Sequence, residues 1–214
     1  MHDLELREAV IGFACKMHID KLTVANSGNI SVRNADGFLI TPTGVLYEQL
    51  QPEDIVQMSL QGRQLSGVLK PSSEWKIHAD IYENRAEVGG IVHAHSPSAT
   101  ALSVLRLPIP AFHYMVGVIG GSQIPCADYA TFGTQALSDN VLNALEGYKA
   151  CLMANHGMIA VEKNLAKAYQ LALEFESLCA QYSEAKRLGE VYLLTEEEMQ
   201  EARNAFSVYG QKTQ

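Results

Sequence analysis

Two histidines, His93 and His95, stand two residues apart at the end of an apolar run that begins at Val88, in the segment GGIVHAHSPSA. In a β-strand, residues i and i+2 point to the same face, and Ser96-Pro97 stops the strand directly after them. Both imidazoles then project side by side from a strand end, which suits a metal ion. The alternative is two unrelated histidines, one half-buried and one at the surface. A third histidine, His156, interrupts the apolar run ACLMANHGMIAV over 150–161, which reads as a second buried strand. Gly157 beside it lets the backbone approach another group closely. Alone, His156 reads as a core histidine bonded to backbone. Taken with the pair, three imidazoles from two strands leave one position open on a zinc ion, as a catalytic zinc requires. The other histidines, His2, His18, His78 and His113, fall on the terminus, on helices or in a loop and read as structural.

Glu74 is the candidate acid/base. It follows Ser72 and Ser73 at a helix start, where the helix dipole alone stabilises a carboxylate by roughly 0.3–1 kcal/mol. Two hydroxyls and free N–H groups at a helix N-terminus also make a phosphate site. NSGN at 26–29 and TPTG at 41–44 add hydroxyl, amide and backbone donors, although each loop taken singly is an ordinary turn. The phosphate-binding pattern GxxxxGK[ST] is absent.

Positioning these groups takes a mixed chain. Leu6, Val10, Phe13, Ala14 and Met17 share a face of a helix over 4–19. NISVRNADGFLIT alternates and turns at 34–37 as a hairpin, and DIVQMSLQG is a further strand. Pro71 precedes a helix that Ser72 or Ser73 caps. After the His93/His95 strand comes a helix over about 98–105, then a Pro/Gly-rich middle with short strands. Helices follow over 134–145 and 164–188, the second ended by Gly189. Thr195 with Glu198 forms a capping box for a last helix. The pattern is α/β, with a mostly antiparallel sheet between helices and one core.

The 214 residues suit one large domain. A net charge of −8 argues against nucleic-acid binding, which needs basic surface. No apolar run approaches the roughly 20 residues of a membrane span, and MHDLELREAV is too charged for a signal peptide. Cys15, Cys126, Cys151 and Cys179 lack CxxC spacing and read as isolated thiols in a reducing cytoplasm.

In their order along the chain, SGNISVR, LITPTGVLYEQL, PSSEW, VHAH, PAFHYM, IPCADYATFGT, NHGMIA and the C-terminal YG resemble the class II aldolase family, with its adducin-like three-layer α/β/α fold. The resemblance covers nearly the whole chain. It implies one zinc ion per subunit on His93, His95 and His156, with Glu74 filling the fourth position when no substrate is bound and serving as proton donor/acceptor. It implies a substrate phosphate held around Gly28, Asn29, Thr43, Gly44, Ser72 and Ser73. Tyr114 matches a tyrosine that reaches into a neighbouring subunit's site, which implies a homotetramer. Phe132 and Tyr209 match residues that shape the aldehyde end.

The implied reaction is reversible cleavage of a ketose 1-phosphate, L-fuculose 1-phosphate or a related deoxy-sugar phosphate, to dihydroxyacetone phosphate and an aldehyde. ANSGN before β-hairpin residue Ile30, and Asn155 before the third histidine, depart from the pattern of fuculose-cleaving members. Alternatives within the family are cleavage of 5-deoxyribulose 1-phosphate or 5-methylthioribulose 1-phosphate, a pentulose-phosphate 4-epimerase and a methylthioribulose-phosphate dehydratase. A non-enzymatic adducin-like module would not need the three histidines and Glu74 together.

Overall fold

The protein is described from a computed structural model, in which residues 3–24 and 27–208 are described. Tyr209 lies outside them. The chain opens with α1 (Asp3–Ile19), which buries Val10, Ala14 and Met17. A hairpin follows, β1 (Asn29–Asn34) and β2 (Gly37–Ile40), closing at the Asn34↔Gly37 pair. Next come β3 (Val56–Met58), β4 (Gln64–Ser66), α2 (Trp75–Asn84) and β5 (Gly90–Ala94). After α3 (Pro97–Ser103), β6 (Ile109–Pro110) and β7 (Gln123–Ile124) make a small separate ribbon around a 3-10 helix, Tyr114–Ile119. The chain ends with β8 (Cys126–Ala127), α4 (Gln135–Ala144), β9 (Ala150–Met153), β10 (Gly157–Glu162), α5 (Leu165–Leu188) and α6 (Glu196–Val208).

The main sheet runs β4-β3-β2-β1-β5-β10-β9-β8. Every neighbouring pair is antiparallel except β8 with β9. Both faces are covered, because inward residues alternate along each strand. Ile30, Val32, Val92, Ala94, Met158 and Ala160 enter one core with α1, α3 and α5. Ile91, Cys151, Met153, Ile159 and Val161 enter a second core with α2 and α4. These are the three layers expected from the sequence, with the mostly antiparallel sheet in the middle. All four cysteines are free, and Cys151 and Cys179 are buried.

Several helix starts follow their residues. Thr134 caps α4 by accepting from Leu137 N–H, Asn164 caps α5 by accepting from Lys167 N–H, and Thr195 and Glu198 bond reciprocally at α6. Two local expectations are corrected. Residues 150–161 are not one interrupted strand but the β9–β10 hairpin, reversed at residues 154–156 with Asn155 at φ 54°. Asn tolerates this left-handed conformation better than most residues, so the break in the apolar run is a turn. Nor does a serine cap α2. Glu74 is the N-cap residue, because Ser72 is spent on a tight turn before it: its Oγ accepts from Glu74 N–H at 3.3 Å and its carbonyl from Trp75 N–H at 3.1 Å.

Candidate active site

The centre of the sheet builds the site. In the antiparallel register Asn29 of β1 lies opposite His93 of β5, and His93 lies opposite Ile159 of β10. His93 donates from Nδ1 to the Met158 carbonyl at 2.9 Å, which turns its Nε2 away from the ladder and leaves it available as a ligand. His95, one residue past the strand end, brings its Nε2 to 3.1 Å from that of His93. His156 enters from the β9–β10 turn. Gly157 permits that approach: a Cβ there would lie 2.4 Å from the Ala94 carbonyl oxygen and 3.1 Å from the His95 ring. Ring centroids of the three histidines are 4.8 to 4.9 Å apart.

Glu74 completes the cluster from the start of α2, with Oε2 at 3.0 Å from His93 Nε2 and Oε1 at 3.3 Å from His156 Nε2. One ligand atom from each of the four residues lies within 4.8 Å of the others. Glu74 Oε1 is buried with no hydrogen-bond partner. An orphaned carboxylate oxygen among three imidazole nitrogens is unfavourable as a purely organic arrangement. It fits a divalent cation, for which three nitrogens and one oxygen are a suitable set.

The electrostatics agree. Burial pushes the Glu74 carboxyl up, but His93, His156 and the Asn29 amide outweigh it and hold it well below the usual carboxylate range. Burial opposes charge on His93, and the Glu74 carboxylate beside it raises its pKa nonetheless. His95 is lowered to about 3 by burial and by the other two imidazoles. His156 is lowered to about 4 by burial and by His93. His95 and His156 are therefore neutral at pH 7, the form that binds metal.

A cavity of about 450 Å³ opens over this cluster. One side is made by Gly28, Asn29, Thr43, Gly44, Ser72 and Ser73. Their three loops are strapped together through the backbone: Thr41 N–H donates to Ile30 O at 3.1 Å, Ser72 N–H to Thr41 O at 3.0 Å and Thr43 N–H to Lys70 O at 3.1 Å. Tyr47 supports the first loop from beneath, donating to Gly28 O at 2.8 Å. Gly28 has φ +100°, and a Cβ on it would lie 2.6 Å from the His93 carbonyl oxygen, so this loop can sit against β5 only with glycine. The other side is aromatic, with Tyr129 and Phe132 respectively 53% and 64% exposed.

The fold aligns closely with solved class II aldolases. An L-fuculose 1-phosphate aldolase superposes with a TM-score of 0.91 at 36% identity, covering 95% of this chain and 96% of that one. The Class II Aldolase and Adducin N-terminal domain model matches residues 8–183. The chain belongs to this family. A 5-methylthioribulose-1-phosphate/5-deoxyribulose-1-phosphate aldolase of Rhodospirillum rubrum is 44% identical, over 99% of this chain and 95% of that protein. An L-fuculose phosphate aldolase of Escherichia coli K12 is 42% identical, over 96% of both. The protein is thus a class II aldolase, a lyase of a class that uses a divalent metal, and it carries a Glu/His cluster able to hold one.

Within this class II aldolase the sequence-derived residues separate into two places. Glu74, His93, His95, His156, the six loop residues and Phe132 gather in or around one cavity. Tyr114 does not line it among the described residues. It begins the 3-10 helix, 51% exposed, with its ring stacked on Phe206 of α6 at 5.9 Å. His113 caps this helix, its Nδ1 accepting from Met115 N–H.

Three features escaped the sequence reading. His78, which the sequence places on a helix with a structural role, is fully buried beneath Asn29. Tyr129 lies under the Arg106 guanidinium, 5.6 Å from its ring centre. Arg106 in turn donates to Asn155 Oδ1 at 2.6 Å on the cavity rim. The signal for His78 was present: Glu74, His78 and Tyr82 repeat every four residues on one helical face, opposite Asn29, Ser31 and Arg33, which repeat every two on a strand.

Proposed function

We propose that this class II aldolase is zinc-dependent and reversibly cleaves a ketose 1-phosphate between C3 and C4, giving dihydroxyacetone phosphate and an aldehyde. The observation that carries the reading is the convergence of Glu74, His93, His95 and His156 beside a wall of hydroxyl, amide and backbone donors. A divalent metal held by the three histidines supplies Lewis-acid stabilisation of the negative charge that develops at C2–C3 when the bond breaks.

The remaining work belongs to the chain. Gly28, Asn29, Thr43, Gly44, Ser72 and Ser73 hold the phosphate by dipoles and N–H donors, and this remote binding energy keeps the reacting carbons beside the cluster. Glu74 returns a proton to C3 after cleavage and removes it in the synthetic direction. Its position at the margin of the histidine cluster lets it serve as a ligand or a base as substrate enters and leaves. Tyr114 of a neighbouring subunit exchanges a proton with the oxygen at C4. Its exposure away from its own chain's cavity supports that reading and a homotetramer with sites between subunits. Phe132 and Tyr209 shape the aldehyde end.

L-Fuculose 1-phosphate is one substrate to test. A second reading, cleavage of 5-deoxyribulose 1-phosphate or 5-methylthioribulose 1-phosphate, is favoured by the exposed Tyr129 and Phe132 rings, which offer an apolar wall to a methyl or methylthiomethyl group joined directly to C4, without the hydroxyl-bearing carbon that L-fuculose 1-phosphate has there. A cleavage assay across these three ketose 1-phosphates, with dihydroxyacetone phosphate measured directly, separates the readings. Production of an epimer or a dehydrated sugar without dihydroxyacetone phosphate overturns both. The net charge of −8 and the absence, among the described residues, of any helix long and apolar enough to cross a membrane fit an enzyme acting on small metabolites in the cytoplasm.

A further inference from the structure

We infer that His78 is a positioning residue for Glu74, acting through the Asn29 side chain along a directed chain of hydrogen bonds. The direction follows from which atoms are able to donate. The ionised carboxylate of Glu74 only accepts, so its 3.1 Å contact with Asn29 is a bond from Asn29 Nδ2. Asn29 therefore presents Oδ1 to His78, whose Nε2 lies 2.5 Å away and must carry the hydrogen. His78 is fully buried, and burial together with the nearby His93 keeps it neutral. Its Nδ1 is then bare and accepts from the Ser31 hydroxyl at 2.6 Å. With its proton committed, Ser31 Oγ accepts from the Tyr82 hydroxyl at 2.8 Å.

The far end of the chain is fixed by Arg33. Its guanidinium lies 4.8 Å from the Tyr82 ring centre, and it donates to the carbonyls of Val88, Tyr82 and Arg85 at 2.7, 2.7 and 3.0 Å. Ser31, His78 and Tyr82 are buried and lie outside the cavity lining, so a partner lost at the inner end of the chain is not readily replaced by solvent. The geometric consequence is specific. A free asparagine amide can flip and exchange its oxygen and nitrogen. Flipped, Asn29 would turn its oxygen onto the Glu74 carboxylate and its NH2 onto the His78 N–H, like against like at both ends. The His78 Nε2–H forbids that flip. It keeps a donor on Glu74 Oε2 and so holds the carboxylate in the orientation that sets Oε2 beside His93 and Oε1 beside His156.

The inference rests on the reading of Glu74 as the group that handles the C3 proton, and its test is separable from that reading. In the zinc-loaded enzyme, His78→Leu removes the donor, while His78→Gln keeps an N–H near the position of Nε2. Misplacing a group one shell from a metal site costs about 10–100-fold. The expected result is a fall of that size in kcat and in exchange of the C3 proton for His78→Leu, with KM and zinc content close to wild type, and recovery of most of the loss in His78→Gln. Equal loss in both variants, or a loss in KM or zinc content in place of kcat, overturns the inference and leaves His78 a packing residue. If neither variant folds, the ¹⁵N shifts of the wild-type His78 ring decide. A protonated Nε2 with bare Nδ1 supports the chain, and the opposite tautomer or an imidazolium overturns it. Lack of aldol cleavage by wild-type enzyme would sink the reading of Glu74, while the ring shifts would still report the direction of the chain.

Discussion

Asn29 donates to Glu74 from the strand position directly opposite His93. One side chain thus joins the loop wall proposed for the phosphate to the cluster suited to a metal. Glu74 accepts a hydrogen bond at Oε2 and none at Oε1, which lies 3.3 Å from His156 Nε2, the condition of a carboxylate that is aimed but not committed.

Glu74→Gln keeps the shape of that group and removes the base. Exchange of the dihydroxyacetone phosphate C3 proton with solvent, followed by NMR, should slow by about two orders of magnitude or more. Binding through the phosphate should largely persist. Wild-type exchange in this variant would assign the base to another residue.

Dialysis against a strong chelator should abolish cleavage, and added zinc should restore it. His156→Ala leaves two imidazoles and a carboxylate with an open side, so zinc at the concentration that restores the wild type should not restore the variant. Metal analysis of each sample ties activity to zinc content. Full activity in metal-free protein would refute the metal dependence.

Gly157→Ala places a methyl group 2.4 Å from the Ala94 carbonyl oxygen. Relief requires β10 to move from β5, which also carries His156 away from His95. Overpacking of this kind costs about 1–3 kcal/mol, readable in urea denaturation. Zinc affinity should fall with stability; zinc affinity equal to wild type would show that the hairpin tip adjusts independently of the strand.

Tyr114 makes a prediction about assembly. If each site takes Glu74 from one chain and Tyr114 from the next, Glu74→Gln and Tyr114→Phe proteins reassembled together should recover part of the wild-type rate. Hybrid rings would then contain some sites with both groups intact. Recovery no better than the average of the parents, with hybrids verified by native mass spectrometry, would place both residues in one subunit's site.

Acid should destabilise the protein partly through His78. Its pKa in the folded state is lowered to about 3, from 6.5. Between those values the unfolded chain binds a proton that the folded one does not, so stability falls as pH falls from 6.5 towards 3, by about 1.4 kcal/mol per pH unit well below 6.5. His78→Gln has no such proton to take up and should flatten the acid limb by that slope. Protonation of the metal ligands acts on both proteins and cancels in the comparison. Parallel limbs would show that His78 is charged in the folded state.

The layers and the clustering of the three histidines were legible because they rest on short-range periodicity. An HxH step of two residues shares a strand face, and the apolar runs give the central strands directly. Less legible was the single tight turn that makes 150–161 a hairpin, since an apolar run continues on both sides of Asn155 and His156. Also hidden was the value of His78, because a buried polar stripe on a helix is recognisable only once the strand carrying Asn29 and Ser31 is known to lie against it. Tyr114 is a different case: its ring is half exposed and stacks on Phe206, a residue of α6 about ninety positions away, a long-range contact that no local pattern announces.

The strand order has a consequence for the making of the enzyme. Synthesis delivers β1 first, yet its neighbour β5 arrives some sixty residues later, and β10, which brings the turn bearing His156, later still. The nascent chain therefore carries Asn29, Glu74, His93 and His95 for a long interval without the strand that closes their group. Premature capture of metal by the HxH pair would have only part of the final ligand set to hold it. Secure loading belongs after residue 162 has paired, so the time at which the central sheet zips shut is also the time at which the metal can be kept.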